Sequence, residues 1–197
     1  MRTEGSSRDK TWPIIRRSAL GQLSKHGFHG MNLRNLASDS GLQAGSLYNY
    51  FKNKDELLVI IMREIMQELL DKISEAEEHA KSPEERLDKF VEVMVGWHAK
   101  RRKEAMISQS ELRSLTKAGF REIVDIRKKF EVILLDIILD GVETGVFSVG
   151  DPKLSANMLI NMLTSISYWY KAGGRLSVAT MIVEYQSAAR RVLGNSS

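Results

Sequence analysis

No cysteine occurs in this chain, and proline occurs only three times in 197 residues. Without thiols there is no disulfide framework, no thiolate zinc or iron–sulfur centre and no cysteine nucleophile. So few helix breakers leave room for long uninterrupted helices. No apolar run approaches the about 18 residues that a membrane span needs, so no membrane partner is expected. Met1 to Lys10 contains no apolar stretch of the signal-peptide kind, so export is not expected and a cytoplasmic location is. Also missing are a nucleophile elbow, a phosphate loop and an HExxH helix, the commonest sequence marks of an enzyme. His26-x-x-His29 has metal-pair spacing but lacks cysteine or nearby carboxylate partners, and it reads better as a helix end. No metal, no cofactor and no catalytic residue is expected.

What is present has a globular balance, 43% apolar and 27% charged. Against a usual unit of about 150 residues, the length fits one large domain or a small one fused to a larger. The formal charge of +4 is unevenly placed. Residues 1–60 hold nine Lys and Arg against five Asp and Glu, a net of +4, whereas residues 61–197 hold twenty of each. A basic module joined to a neutral body points to a polyanionic partner for the first part and a different task for the second.

Apolar spacing predicts helices throughout. Trp12, Ile15, Ala19 and Leu23 mark a first helix over about Arg8 to His26, stopped by Gly27. Asn32 is a plausible N-cap for a second over Leu33–Ser40, which Gly41 ends. A third, about Ala44–Phe51, puts Leu47 and Phe51 on one side and leaves Ser46, Tyr48 and Asn49 to project elsewhere. Asn53 and Glu56 form a capping-box-like start for a long fourth helix to about Ala80. At about 1.5 Å per residue it spans roughly 39 Å, enough to leave the first module and enter the second. Ser82-Pro83 opens a fifth helix to about Lys103, and a sixth covers about Glu104–Leu115. A seventh, marked by Phe120, Ile123, Phe130, Leu134 and Ile137, ends near Gly145. An eighth runs from Asp151-Pro152 to Gly173-Gly174, and a ninth from Ser177 to Val192. The fold class is therefore all-α with nine helices, divided into domains at 8–54 and 55–194.

Two short helices around Gly41, inside the basic third of the chain, form a helix-turn-helix pattern, in which the second helix enters the major groove. The run from Met31 to Leu58, and above all Leu47-Tyr48-x-Tyr50-Phe51-x-Asn53-Lys54-x-x-Leu57, closely resembles the DNA-binding signature of the TetR family of bacterial regulators. That resemblance covers about residues 12–58. It implies a homodimer on a pseudo-palindromic double-stranded DNA operator, its two recognition helices about 34 to 36 Å apart. Carried over position by position, it implies that Ala44, Gly45, Ser46, Asn49 and Tyr50 face bases or nearby phosphates and that Arg34 reaches a base edge. Asn32, Tyr48 and Lys54 match positions that hold the phosphate backbone. The chemistry agrees: Arg suits guanine, Asn suits adenine, and amides at a helix start suit phosphate. Gln43 departs from the family's usual Ser or Thr, leaving the helix start uncapped or freeing Gln43 for DNA.

The remainder resembles the family's regulatory domains, which implies dimerisation through helices eight and nine and a small-molecule effector. Met62, Met66, Phe90, Met94, Trp97, Phe130, Met162 and Ile166 are candidates to line an apolar effector pocket, although each also suits plain core packing. The stretch Trp169-Tyr170-Lys171-Ala172-Gly173-Gly174-Arg175-Leu176-Ser177 resembles a feature of family members that govern fatty-acid or sterol breakdown, some of which respond to acyl-CoA. The basic run Lys100-Arg101-Arg102-Lys103, with Arg113, would suit the phosphates of such a thioester, and equally suits a solvated helix end. The expected function is a ligand-responsive transcriptional regulator, in the repressor mode. A protein partner for the C-terminal domain is the alternative.

Overall fold

A computed structural model describes residues 4–194. Among them the chain forms nine α-helices, two 3-10 turns and no strand. The helices are α1 (Glu4–Gly30), α2 (Leu33–Asp39), α3 (Lys54–Glu77), α4 (Pro83–Lys100), α5 (Arg102–Ser110), α6 (Lys117–Glu143), α7 (Pro152–Thr164), α8 (Ile166–Trp169) and α9 (Val178–Val192). The 3-10 turns are Ala44–Asn49 and Glu111–Ser114.

The expected caps stand where the sequence put them. Ser82, Asp151 and Ser177 each accept a backbone N–H of the first turn of α4, α7 and α9. Asn53 Oδ1 accepts from Glu56 N at 2.8 Å, while the Glu56 carboxylate turns back to Lys52 N. The α1 helix is broken at Gly27, whose φ of 65° only glycine takes cheaply.

Three elements differ from the periodicity reading. The expected third helix is a 3-10 turn, because Gln43 gives it no side-chain cap and six residues including Gly45 are too few to propagate an α-helix. The expected eighth helix splits at Ser165 into α7 and α8. There the hydroxyls of Thr164, Ser165 and Ser167 donate to the carbonyls of Ile160, Met162 and Thr164 at 2.9, 2.8 and 3.0 Å, competing with the helix ladder. The expected sixth helix, about Glu104–Leu115, is α5 followed by the 3-10 turn Glu111–Ser114.

The residues pack as two units. One joins the chain up to Ile65 with Met106–Ile123; the other joins Met66–Ala105 with Val124 onward. The divisions fall inside α3, α5 and α6, so three helices contribute to both units. Burying apolar surface, worth about 25 cal/mol per Å2, organises each unit. In the first, Ile15, Ala19 and Leu23 of α1, Leu36 and Ala37 of α2, Leu47, Phe51, and Leu57, Leu58 and Ile61 of α3 form the core. Gly119 lets the start of α6 lie close to α3: a Cβ there would stand 2.6 Å from Val59 Cγ2. In the second unit, α4 packs against α7, α8 and α9. Gln186 donates to Asp88 O at 3.1 Å, and Arg190 pairs with the Asp88 carboxylate. At the end of α3, Arg86 meets Glu77, Asp136 and Asp140 at 3.6, 2.8 and 3.4 Å. Among the described residues no helix is long and apolar enough to cross a membrane.

Candidate nucleic-acid interface and effector region

The first unit holds α2 rigidly at both ends. Asn32 Oδ1 accepts from Arg34 N at 2.8 Å and Asn35 N at 3.3 Å, which leaves its amide N–H2 for another partner. Gln22 of α1 accepts from Asn32 N at 3.0 Å and donates to Asp39 at 3.1 Å, so one side chain spans the helix. After Asp39 the chain turns through Gly41 (φ 67°), with Leu42 N on Ala37 O at 2.8 Å and Gly41 N on Ser38 O at 3.0 Å. These two bonds are the Schellman closure, and it aims the following turn.

In that turn the buried Leu47, continued by Phe51, anchors the inner side. Outward lie Gln43, Ala44, Gly45, Tyr48 and Asn49, all exposed, with Ser46 and Tyr50 half-buried; Tyr48 is 58% exposed and so is not a core residue. Gln43 makes no cap bond. Asn32 and Arg34 are exposed on the same unit. All ten residues expected to touch DNA therefore belong to one unit, eight of them polar or charged, with no acidic residue among them.

Besides the capping Asn32, two of the ten have side chains already engaged. The Lys54 ammonium donates to His29 O at 3.2 Å and lies 4.7 Å from the Phe28 ring centre. The Tyr50 ring stacks on Trp12, centroids 6.3 Å apart and planes at 17°, with the Arg8 guanidinium 5.9 Å from its centre. Trp12 Nε1 in turn donates to Glu64 at 2.7 Å, and Arg16 Nε to the other Glu64 oxygen at 3.0 Å. Trp12, Glu64 and Gln22 are positioning residues that periodicity does not disclose. It assigns Trp12 to the core stripe, and no local spacing reveals a partner 52 residues away.

Of the expected effector contacts, Met62 lies in the first unit; Met66, Phe90, Met94, Trp97, Arg101, Phe130, Met162 and Ile166 lie in the second. Phe90, Met94, Trp97, Phe130 and Ile166 are buried; Met162 is half-buried. Arg101 is committed within the protein, pairing with Glu68 and Glu104 at 3.0 Å each. Arg102 donates to Ser167 O at 2.7 Å and Tyr168 O at 3.2 Å, closing the end of α8, whereas Lys100, Lys103 and Arg113 are exposed. Burial lowers the His98 pKa from 6.5 to about 4, so the ring is neutral, and its Nδ1 donates to Met94 O at 2.8 Å. The faces expected to dimerise are divided. Leu159, Leu163, Met181 and Ala189 are buried within the chain, while Leu154 and Met158 of α7, Tyr168 and Trp169 of α8, and Val183 and Val192 of α9 are exposed. Among the described residues no three His, Asp or Glu side chains converge as metal ligands; His26 and His29 are both exposed.

Comparison with known proteins places this geometry in a family. Residues 15–60 match the model of bacterial regulatory proteins of the tetR family, and residues 80–193 match the tetracyclin repressor-like C-terminal domain. The HTH-type transcriptional repressor KstR2 of Mycolicibacterium smegmatis is 26% identical over 183 residues, covering 88% of each chain. The fatty acid metabolism regulator protein of Bacillus subtilis is 25% identical over 158 residues, 77% of this chain and 79% of that one. A tetR-family regulatory protein from Rhodococcus RHA1 superposes with a TM-score of 0.89 at 27% identity, covering 95% of this chain and 99% of that one. AibR, solved with isovaleryl coenzyme A and operator DNA, shares the fold at a TM-score of 0.82 and 22% identity, covering 90% and 97%. With both family models matched, the chain belongs to the TetR family of DNA-binding transcriptional regulators.

Proposed function

We propose that this protein is a cytoplasmic, non-enzymatic repressor that binds an inverted-repeat operator as a homodimer and releases it on binding an acyl thioester. The observation that carries the DNA half is the exposure of Asn32, Arg34, Gln43, Tyr48 and Asn49, with Ser46 half-buried, in one unit whose core is closed by Leu36, Leu47 and Phe51. Direct DNA contacts fall within residues 8–54, and residues 55–194 regulate them. Arg34, Gln43 and Asn49 read base edges, with Ala44, Gly45 and Ser46 letting the backbone approach; Asn32, Tyr48, Tyr50 and Lys54 fix the phosphate register. Lys54 exchanges His29 O for a phosphate oxygen when DNA arrives.

Dimerisation uses the apolar surface left on α7, α8 and α9, counterparts of the expected helices eight and nine. The effector reading draws support from the relatives, a repressor and a fatty acid metabolism regulator, and from AibR, whose structure holds isovaleryl coenzyme A together with operator DNA. Met66, Phe90, Met94, Trp97, Phe130, Met162 and Ile166 supply its apolar contacts, Met62 adjusts with α3, and Arg101 keeps α3 and α4 in register. Release is a population shift, limited by the effector's difference in affinity between the operator-binding and released states.

Selection of bound fragments from random duplex DNA tests the reading, and the expected yield is an inverted repeat. Tyr48→Ala with Lys54→Ala weakens binding to every sequence and reduces the salt slope by about 1 for the lost cation, while Asn49→Ala relaxes preference at particular base pairs. An unchanged salt slope refutes the phosphate roles, and recovery of no inverted repeat refutes the operator reading.

A further inference from the structure

Trp97 is 6% exposed, and its indole N–H, wholly buried, has no acceptor within hydrogen-bonding distance. Buried donors in native proteins are nearly always paired, and an unpaired one forfeits free energy comparable to a lost hydrogen bond. The helix face that carries it is apolar. Arg101 pairs with Glu68 at 3.0 Å and Arg86 with Glu77 at 3.6 Å, so α4 runs antiparallel to the second half of α3 and is pinned to it near both ends. Phe90, Met94 and Trp97 follow one another at three- and four-residue steps between those arginines and share their face of α4. Asp88, on the other side of the helix, meets α9 through Gln186 and Arg190. Between Glu68 and Glu77 the inward residues of α3 are Leu69, Leu70 and Ile73, all buried and none with an acceptor. The neighbouring His98 ring stands edge-on, 5.2 Å from the indole, and spends its Nδ1 proton on Met94 O. An aromatic donor is thus kept on an apolar face of α4, one turn from the Arg101–Glu68 ion pair.

We infer that Trp97 is the polar anchor of the effector site: its indole N–H donates to a carbonyl oxygen of an otherwise apolar ligand and so selects an acyl compound over an ether or hydrocarbon of the same shape. The inference rests on the acyl-thioester reading above and adds the atom that recognises the thioester. A site built around one donor rejects a ligand that leaves it unpaired more strongly than it rejects a small change in apolar volume.

The test uses the full-length protein on its selected operator, released by isovaleryl-, octanoyl- or palmitoyl-CoA and by the matching S-alkyl-CoA thioethers, in which a methylene replaces the carbonyl. Wild-type protein requires about tenfold to a hundredfold more thioether than thioester. In Trp97→Phe that preference disappears; because the ratio is read within each protein, changes in folding or operator affinity cancel. A second measurement needs no variant at Trp97. The three tryptophans give three indole N–H resonances in a 15N-labelled sample, two of them assigned by Trp12→Phe and Trp169→Phe. The remaining one moves downfield with the thioester and not with the thioether. A preference that survives Trp97→Phe, or an indole resonance that stays in place while the thioester releases DNA, overturns the inference and leaves the acyl-thioester reading standing. If no thioester releases the wild-type protein, that reading fails and the inference falls with it.

Discussion

Glu64→Gln isolates the contact behind Tyr50, one of the residues proposed to touch DNA. Glu64 accepts from Trp12 Nε1 at 2.7 Å and from Arg16 Nε at 3.0 Å, and Trp12 carries the Tyr50 ring. Glutamine keeps the shape but offers one acceptor in place of two and turns an N–H2 toward a second donor. Hydrogen bonds to a charged group contribute about 1.5 to 3 kcal/mol when sheltered. Here the Arg16 and Glu64 side chains are 20% and 38% exposed, so solvent screening reduces the combined loss to about 1 to 2 kcal/mol. Thermal unfolding then falls by roughly 2 to 8 °C for a chain of this size. Operator affinity, measured by fluorescence anisotropy, falls by up to about tenfold as Tyr50 loses its platform. Arg63→Gln is the control. It breaks the pair with Glu122, whose partners are 48% and 41% exposed, and touches neither Trp12 nor Tyr50. Its expected cost is below about 1 kcal/mol with unchanged DNA binding. Equal effects of the two variants, or a Glu64→Gln protein with wild-type affinity, would refute the platform argument.

The buried neutral His98 makes stability depend on pH. The unfolded chain takes up this proton near pH 6.5 and the folded protein only near 4, so the contribution is complete above about 6.5 and is lost as pH falls towards 4. Across that window the loss is roughly 3 kcal/mol, seen as a falling urea midpoint that His98→Gln flattens. Met158→Glu with Val183→Glu places charges at sites 54% and 63% exposed in the single chain, so light scattering is expected to show a monomer with weak operator binding; a folded dimer would show that these surfaces are not the interface. Gly141→Ala drives a methyl into the Phe147 ring and costs about 1 to 3 kcal/mol in chemical denaturation, relieved by Phe147→Leu.

The elements that sequence disclosed are those whose information is local. Leu57, Ile61, Ile65, Leu69 and Ile73 keep a four-residue step, and all five are buried. Capping residues reveal themselves through the identity of one side chain, and Ser82, Asp151 and Ser177 all cap. Periodicity fails where the deciding contact is distant. Met106–Ile123 groups with the first 65 residues, and the signs of it, Glu111 beside Gly27 and Gly119 under Val59, join positions tens of residues apart. A division drawn at Lys54 could not anticipate this return of the chain, which groups Met106–Ile123 with the first 65 residues.

Charge shows the same dependence on distant partners. Lys100-Arg101-Arg102-Lys103 reads as four equivalent cations, yet folding assigns them different work. Arg101 is shared by Glu68 and Glu104, and Arg102 caps the carbonyls of Ser167 and Tyr168. Only Lys100 and Lys103 present exposed side chains there, and an ammonium is a point charge without the fixed fork of a guanidinium. On the proposed acyl-thioester reading, a long phosphorylated carrier is attracted at this edge and the acyl group is selected elsewhere, by groups that make a directed bond. On that reading the buried indole, and not the conspicuous basic run, is the feature on which effector identity turns.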